Sequence, residues 1–225
     1  MNPDLPGVNL LLADIYLTQR RPDDAIASAR QALKADPKLA LAHVVISSGQ
    51  IQKRQPDAAI AELQRAIALD GKLVRAYLNL GEAYVQKGLT EQAVAAYRKA
   101  ITAAPNDMRG YNNLAWLLAD KNIQLEEAVT LAKRAVELAP KRGEVLDTLG
   151  WVYFQKGMYA EATSTLKEAA ALVPQLALIR YHLGMSHLKQ GRKADAAEEL
   201  RRALLIDPNF PSASRARDAL ATLGG

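Results

Sequence analysis

Apolar and polar residues alternate with the period of an α-helix in paired segments of about 13 residues each. Three of these pairs are divided by Gly88, Gly157 or Gly191, and a residue that adopts positive φ readily ends a helix. The second segment of each pair ends at a proline or glycine, and these residues recur every 34 or 35 positions: Pro37, Gly71, Pro105, Pro140, Pro174 and Pro208. The pattern predicts an all-α protein built from helix pairs.

The same small residues recur in every pair. Two alanines lie in each second segment: Ala25 and Ala32, Ala59 and Ala66, Ala93 and Ala100, Ala128 and Ala135, Ala162 and Ala169, Ala196 and Ala203. A small residue that follows a large one lies in each first segment: Ala13, Ser47, Gly81, Ala115, Gly150 and Gly184. Small side chains let two helices approach closely, so we expect these residues where the helices cross. Since one pair cannot bury its apolar face alone, neighbouring pairs must stack into a solenoid.

The segment "AYLNLGEAYVQKGLTEQAVAAYRKAITAAP" shows the full repeat, and it resembles the tetratricopeptide repeat (TPR) family. The resemblance implies a right-handed superhelical solenoid of antiparallel helix pairs, with six repeats and a C-terminal capping helix in a single domain, 1–225. The expected repeats are 6–39, 40–73, 74–107, 108–142, 143–176 and 177–210, and the capping helix is 211–223. Local departures are Arg20 and Arg54 at the usual turn glycine, Gln50 and His187 at the usual tyrosine, and one extra residue in the inter-helix turn of repeat four.

The N-terminal residues fit the same spacing. Pro3 precedes Pro37 by 34 residues, so "NPD" is interpreted as the tail of a preceding repeat, with Met1 a start inside a longer array. The alternative is a native protein that begins at a repeat boundary.

Composition narrows the possible classes of function. The chain has no cysteine, so disulfides and thiolate chemistry are excluded. Its net charge of +5 is spread without a basic block, so we expect no nucleic-acid partner. No apolar run is long enough for a membrane span, so this segment is not expected to insert into a membrane, and the N-terminus does not resemble a signal peptide. A periplasmic or envelope location, through an anchor missing from this chain, is favoured, with the cytoplasm as the alternative.

No catalytic or metal-binding pattern is present. The three histidines, His43, His182 and His187, have no ligand partner at metal-binding spacing. The sequence lacks the nucleophile elbow, the phosphate loop and the dinucleotide fingerprint. We therefore predict no catalytic residues, no metal, no cofactor and no enzymatic activity.

The family resemblance implies that the first helix of each pair lines a concave groove through repeat positions 2, 5, 6, 9, 12 and 13. The repeats are counted from Pro6, Ala40, Val74, Met108, Gly143 and Ala177. Repeats one and two contribute mostly unremarkable side chains, so the predicted groove residues for a peptide or partner segment come from later repeats: Arg75, Asn79, Arg109, Asn112, Asn113, Trp116, Asp147, Trp151, Tyr181, His182 and Met185.

Two patterns support this groove. Arg75 with Asn79 and Arg109 with Asn113 repeat an Arg-x-x-x-Asn spacing, which places each pair on one helical face. Arginine binds carboxylates and asparagine amides bind peptide backbone. Both tryptophans occupy position 9, where they either line the groove as binding anchors or pack between neighbouring repeats.

The first functional hypothesis is a non-catalytic scaffold that binds an extended peptide or partner segment. The alternatives are a substrate-guiding or regulatory segment of a larger enzyme, such as a glycosyltransferase, and a scaffold that self-associates through its N-terminal end. Residues 108–205 also resemble the C-terminal repeats of bacterial envelope TPR lipoproteins that accompany exosortase protein sorting (PEP-CTERM) and exopolysaccharide production. That resemblance implies a larger, anchored envelope protein involved in sorting, assembly or export.

Overall fold

The computed structural model describes residues 5–223, and every regular element in that range is an α-helix. In chain order the helices are α1 Pro6–Thr18, α2 Pro22–Ala35, α3 Ala40–Gln52, α4 Pro56–Leu69, α5 Val74–Lys87, α6 Thr90–Ala103, α7 Met108–Asp120, α8 Leu125–Leu138, α9 Gly143–Gln155, α10 Tyr159–Leu172, α11 Ala177–Lys189, α12 Lys193–Ile206 and α13 Ala213–Leu223. The all-α prediction is confirmed. Met1 and Pro3, on which the expectation of a preceding repeat rests, lie outside the described residues.

The contacts divide the chain into two compact units. Unit 1 ends at Asn106 and contains α1–α6, and unit 2 begins at Asp107 and contains α7–α13. In both units each first helix packs on the second helix of its own pair, and that second helix packs on the next first helix. Successive first helices also contact each other. The prediction of one domain over residues 1–225 stays a prediction.

Small residues lie at the helix crossings, as the repeat pattern predicts. Ala93 and Ala162 are fully buried in the second helices of their pairs. A Cβ atom built on Gly81 would lie 2.3 Å from Cε1 of Tyr97, and one on Gly150 would lie 2.5 Å from Cγ of Leu166. These crossings have no room for a larger residue in the first helix.

The turns inside the pairs require a residue with positive φ. Glycine supplies it at Gly88, Gly157 and Gly191, with φ between 74° and 81°. Arg20 and Arg54 adopt φ of 56° and 57° at the corresponding places, although a side chain makes this conformation unfavourable. In repeat four the extra residue lies in the turn before α8, as predicted, and both Asn122 and Gln124 have positive φ.

The C-terminal helix covers the last pair. Helix α13 packs on α12, and Phe210, Ala213 and Ala216 are buried beside Tyr181 and Leu200. The exposed residues of α13 are mostly polar, for example Arg217 and Asp218. The helix therefore ends the apolar core of unit 2, which is the role predicted for it.

Candidate functional site on the first-helix faces

In each unit the first helices of successive repeats form one surface, here called the first-helix face. In unit 1 it is formed by α1, α3 and α5, and in unit 2 by α7, α9 and α11. Because the repeats are in register, residues at one repeat position lie in a row across three helices. A segment bound across this row would contact the same position in each repeat.

The unit 1 face is joined by polar side chains. Nη2 of Arg75 on α5 donates to Oδ1 of Asp14 on α1 over 2.8 Å, a contact that passes over α3. Nδ2 of Asn79 donates to Oγ of Ser48 on α3 over 2.8 Å. Both of these predicted groove residues are therefore bonded within the protein, and a ligand would have to share or replace their contacts.

The second Arg-x-x-x-Asn pair adopts a different arrangement. The guanidinium of Arg109 bonds to Asp107, the N-cap of its own helix, and this contact lowers the pKa of the Asp107 carboxyl. Asn113 is half-buried, and Oδ1 of Asn112 is buried with no hydrogen-bond partner among residues 5–223. The repeated spacing thus does not produce a repeated constellation, because Asp107 is available at the start of α7.

Aromatic side chains fill the unit 2 face. The rings of Trp116 on α7 and Trp151 on α9 have centroids 6.3 Å apart and planes 30° apart. The imidazole of His182 on α11 stacks on Trp151 at 4.3 Å and lies 5.6 Å from Trp116. The ring of Phe154, on the same helix as Trp151, also stacks on the Trp151 indole, with ring centroids 4.8 Å apart. Three successive first helices are therefore joined by one layer of rings.

A buried polar pair orients this layer. Oδ1 of Asp147 lies 2.7 Å from Nδ1 of His182, and an ionised carboxylate can only accept, so Nδ1–H donates. Asp147 and His182 are 5% and 2% exposed. The hydrogen bond holds the imidazole against the indole of Trp151. It joins two residues that lie 35 positions apart, and it was not predicted from the sequence.

The burial corrects one expectation. Asp147, Tyr181 and His182 were expected to lie open in the groove, but all three are buried, with Tyr181 packed against Phe210 at 5.7 Å. Tyr181 packs with residues of α13, the imidazole of His182 stacks on Trp151, and Asp147 bonds to that imidazole. Trp116, Trp151 and Met185 are half-buried and pack between neighbouring first helices, so a direct contact with a ligand stays a prediction for them.

Unit 1 contains a cleft that the sequence did not predict. It has a volume of about 700 Å³ and lies where the first helices α1, α3 and α5 end. Its lining residues are Leu17, Thr18, Arg20, Pro22, Ile51, Gln52, Arg54, Glu82, Val85 and Gln86. Repeats one and two, which looked unremarkable, supply most of them. The available signal was the pair of arginines at the turn positions where three other repeats have glycine.

Glutamine side chains link the helices along this cleft. Nε2 of Gln52 donates to the carbonyl oxygen of Leu17 over 3.0 Å, and Nε2 of Gln86 donates to that of Ile51 over 3.1 Å. Oε1 of Gln86 is buried and has no partner within residues 5–223. Burial raises the pKa of the Glu82 carboxyl, and the charge of Arg54 offsets part of that increase. The cleft thus combines cations, an acceptor and apolar side chains.

The described part of the chain has no group of three or more histidine, aspartate or glutamate residues that could hold a metal ion. None of the helices between residues 5 and 223 is both long and apolar enough to cross a membrane.

Family models of the tetratricopeptide repeat match residues 8–46, 51–88, 74–107, 91–143 and 153–223. The chain belongs to the tetratricopeptide repeat family. The matches extend across both units, and the helix pairs begin where the TPR register predicts. No curated protein matches the sequence significantly.

Solved structures share this TPR fold. The Cut9–Hcn1 hetero-tetramer of the APC/C contains a chain of 20% identity with a TM-score of 0.86 over 99% of this chain, which spans 43% of that chain. PilW, described as a type IV pilus biogenesis factor, has 19% identity and a TM-score of 0.80, covering 94% of this chain and 98% of its own. YrrB, described as a TPR protein with an unusual peptide-binding site, has 24% identity and a TM-score of 0.60, covering 84% and 97%.

Proposed function

We propose that this TPR chain is a non-catalytic protein-interaction scaffold that binds an extended peptide or partner segment along its first-helix faces. We further propose that it is part of a larger bacterial envelope protein in protein sorting or in exopolysaccharide assembly or export. The observation that carries the first proposal is the row of first helices in each unit. Such a row offers equivalent side chains from three repeats to one bound segment.

The related structures support a protein ligand. YrrB is described as having a peptide-binding site, and Cut9 is part of a hetero-tetramer. The envelope role rests on the sequence resemblance of residues 108–205, and PilW, with the same fold, is described as a pilus biogenesis factor. These likenesses motivate the proposal, while the residues that contact a partner have to be found by experiment.

Site-specific photo-crosslinking tests the scaffold function. A photoreactive residue replaces Asn113, which is half-buried on the unit 2 first-helix face, and in a control protein it replaces Glu168, which is exposed on second helix α10. We expect discrete crosslinked proteins from envelope extract at position 113 and none of these at position 168. Equal crosslinking at both positions would contradict binding on the first-helix face. Enrichment from cytosolic extract alone would contradict the envelope role.

A second candidate function, self-association through the N-terminal end, is favoured by the apolar residues on α1. Leu11 is 64% exposed, Leu12 40% and Ile15 42%, which is a large apolar surface for one helix. Sedimentation velocity should show concentration-dependent dimers that the double variant Leu11→Glu/Ile15→Glu abolishes. The control Leu205→Glu, at an exposed leucine of α12, should leave the dimers unchanged. Monomers at all concentrations would rule this function out.

A further inference from the structure

We propose that the cleft at the ends of α1, α3 and α5 binds a peptide segment with acidic side chains, and that Arg20 and Arg54 hold its carboxylates. The inference rests on the proposed scaffold function and names a partner chemistry and a site for it. The site differs from the predicted groove residues, because Arg20 and Arg54 lie in the turns that follow the first helices.

Several charged side chains near these turns are already paired. Arg21 bonds to Asp24 over 2.7 Å, Lys53 to Asp23, and Lys87 to Asp57. By contrast, the guanidiniums of Arg20 and Arg54 form no hydrogen bond with any of residues 5–223, and no ion pair within 4.0 Å. The charge of Arg54 lowers the pKa of the Glu82 carboxyl, which lines the same cleft, but the two side chains form no ion pair within 4.0 Å. Two arginines with all their donors available therefore line one cleft, and the guanidinium fork matches a carboxylate.

The backbone at the two arginines is in the left-handed region. Both have positive φ, a conformation that a side chain makes costly and that glycine adopts freely in three other repeats of this chain. The turns at Gly88, Gly157 and Gly191 form with no side chain at this position. An unfavourable conformation that is held at two neighbouring positions of one cleft points to a role for those side chains in binding.

The size and the lining of the cleft suit a peptide better than a simple anion. The cleft volume of about 700 Å³ is of the size that proteins use for ligands of several groups. Leu17, Ile51 and Val85 add apolar surface, and Oε1 of Gln86 is a buried acceptor without a partner in the described chain. An acidic peptide supplies carboxylates for the arginines, a backbone N–H for Gln86 and apolar side chains for the rest. Phosphate or another small anion would use only the arginines.

Fluorescence anisotropy with two labelled probes tests the proposal on the full chain. The first probe is the peptide Gly-Glu-Leu-Glu-Leu-Gly, and the second has glutamine in place of both glutamates. We expect the acidic probe to bind at least about tenfold more tightly than the neutral one, because two carboxylate–guanidinium contacts are lost in the latter. Wild-type protein that binds both probes equally, or neither, overturns the proposal.

The decisive variant is Arg20→Gly/Arg54→Gly, which copies the turns at Gly88, Gly157 and Gly191. Because glycine relieves the backbone, its melting temperature should equal or exceed that of the wild type, while affinity for the acidic probe falls at least about tenfold. The control Arg30→Gln/Lys34→Gln removes two exposed charges from α2, outside the cleft, and should keep the affinity. Equal losses in both double variants would mean that only the overall charge matters, and would overturn the site.

Two further results separate the alternatives. Inorganic phosphate that displaces the acidic probe as effectively as the unlabelled peptide does would show a simple anion site and overturn the peptide assignment. If the acidic probe fails to bind while crosslinking at position 113 succeeds, this inference is wrong and the scaffold function stands. If probe binding depends on the two arginines while crosslinking at position 113 fails, the cleft is the binding site and the unit 2 face is not.

Discussion

Position 9 of the repeat carries different side chains in the two units, and the surfaces around it differ accordingly. In unit 1 the residues at position 9 are Asp14, Ser48 and Glu82, and in unit 2 they are Trp116, Trp151 and Met185. In unit 1, Asp14 and Ser48 take part in polar contacts between first helices, and Glu82 lines the cleft. In unit 2, the indole of Trp151 stacks on the rings of both Trp116 and His182.

The same fold carries two arrangements of side chains. The helix register is the same in both units, but the side chains at position 9 make polar contacts in unit 1 and form a layer of stacked rings in unit 2. A packed layer adds van der Waals contacts and contributes to stability, whereas Glu82 lines the cleft that we propose as a binding site. We therefore expect substitutions at position 9 to affect mainly folding in unit 2 and mainly binding in unit 1.

The largest effect is expected for Trp151→Ala. The change removes an indole that contacts Trp116, Phe154 and His182, and it should lower the free energy of unfolding by about 3 kcal/mol, the lower end of the range for a buried tryptophan, because Trp151 is only half-buried. In a chain of this size that corresponds to a melting temperature lower by about 6–12 °C. Glu82→Ala, at the same position in unit 1, should change the melting temperature by no more than a degree or so, as is usual for surface changes of about 0.5 kcal/mol or less.

Partner binding measured on the same two variants sharpens the result. A large fall in melting temperature with unchanged affinity in the folded fraction would show that Trp151 is a structural residue and does not contact the ligand. A small fall in melting temperature with lost affinity would contradict the packing role and make Trp151 a binding anchor.

A smaller effect is expected for Asp147→Ala. It leaves the Nδ1–H of His182 buried without an acceptor, which should cost about 2 kcal/mol in the free energy of unfolding. The matched change in unit 1 is Asp14→Ala, which breaks the partly exposed ion pair with Arg75 and should cost about 0–1 kcal/mol. Chemical denaturation of both variants measures the difference. Equal costs would show that burial does not distinguish the two polar contacts.

Local patterns were sufficient to predict the fold. Helix period, turn glycines and prolines act over a few residues, so the helix pairs and their first residues, such as Val74 and Ala177, were predictable from the sequence. The extra residue of repeat four was also placed in the correct turn, because an insertion inside a helix would rotate its buried residues off the apolar face.

The candidate site was less predictable, because it depends on which side chains meet across repeats. The Arg-x-x-x-Asn spacing is the same at Arg75 and Arg109, yet the nearby Asp107 captures only the second arginine. The contact of Asp147 with His182 joins two helices, and no periodicity encodes such a pair. The cleft lies where three first helices end, and its lining residues come from three repeats, so no single repeat shows it.

The smallest expected effect concerns position 11, where Gln50 in unit 1 and His187 in unit 2 replace the tyrosine found at Tyr84. Both are buried, and each has one side-chain atom without a partner among the described residues, Oε1 of Gln50 and Nδ1 of His187. Only the histidine titrates near neutral pH. Burial is the largest cause that lowers the pKa of His187 below its usual value of 6.5, and the charge of Arg192 lowers it further. Asp195 opposes this decrease, and the contributions of Lys167, which lowers the pKa, and Glu199, which raises it, are smaller.

The sign of the pH effect follows from the lowered pKa. Above pH 6.5 the imidazole is neutral in both folded and unfolded chains, and as the pH falls through 6.5 and then through the lowered pKa, the unfolded chain binds the proton first. Unit 2 therefore loses stability on acidification, and His187→Tyr should reduce the fall in melting temperature between neutral and mildly acidic pH.

Gln50→Tyr provides the control in unit 1, because glutamine does not titrate and its replacement should shift the melting temperature equally at both pH values. An equal pH dependence in the wild type and in His187→Tyr would show that other groups dominate the acid response. A reduced pH dependence in His187→Tyr alone would assign that part of the response to a single buried imidazole in unit 2.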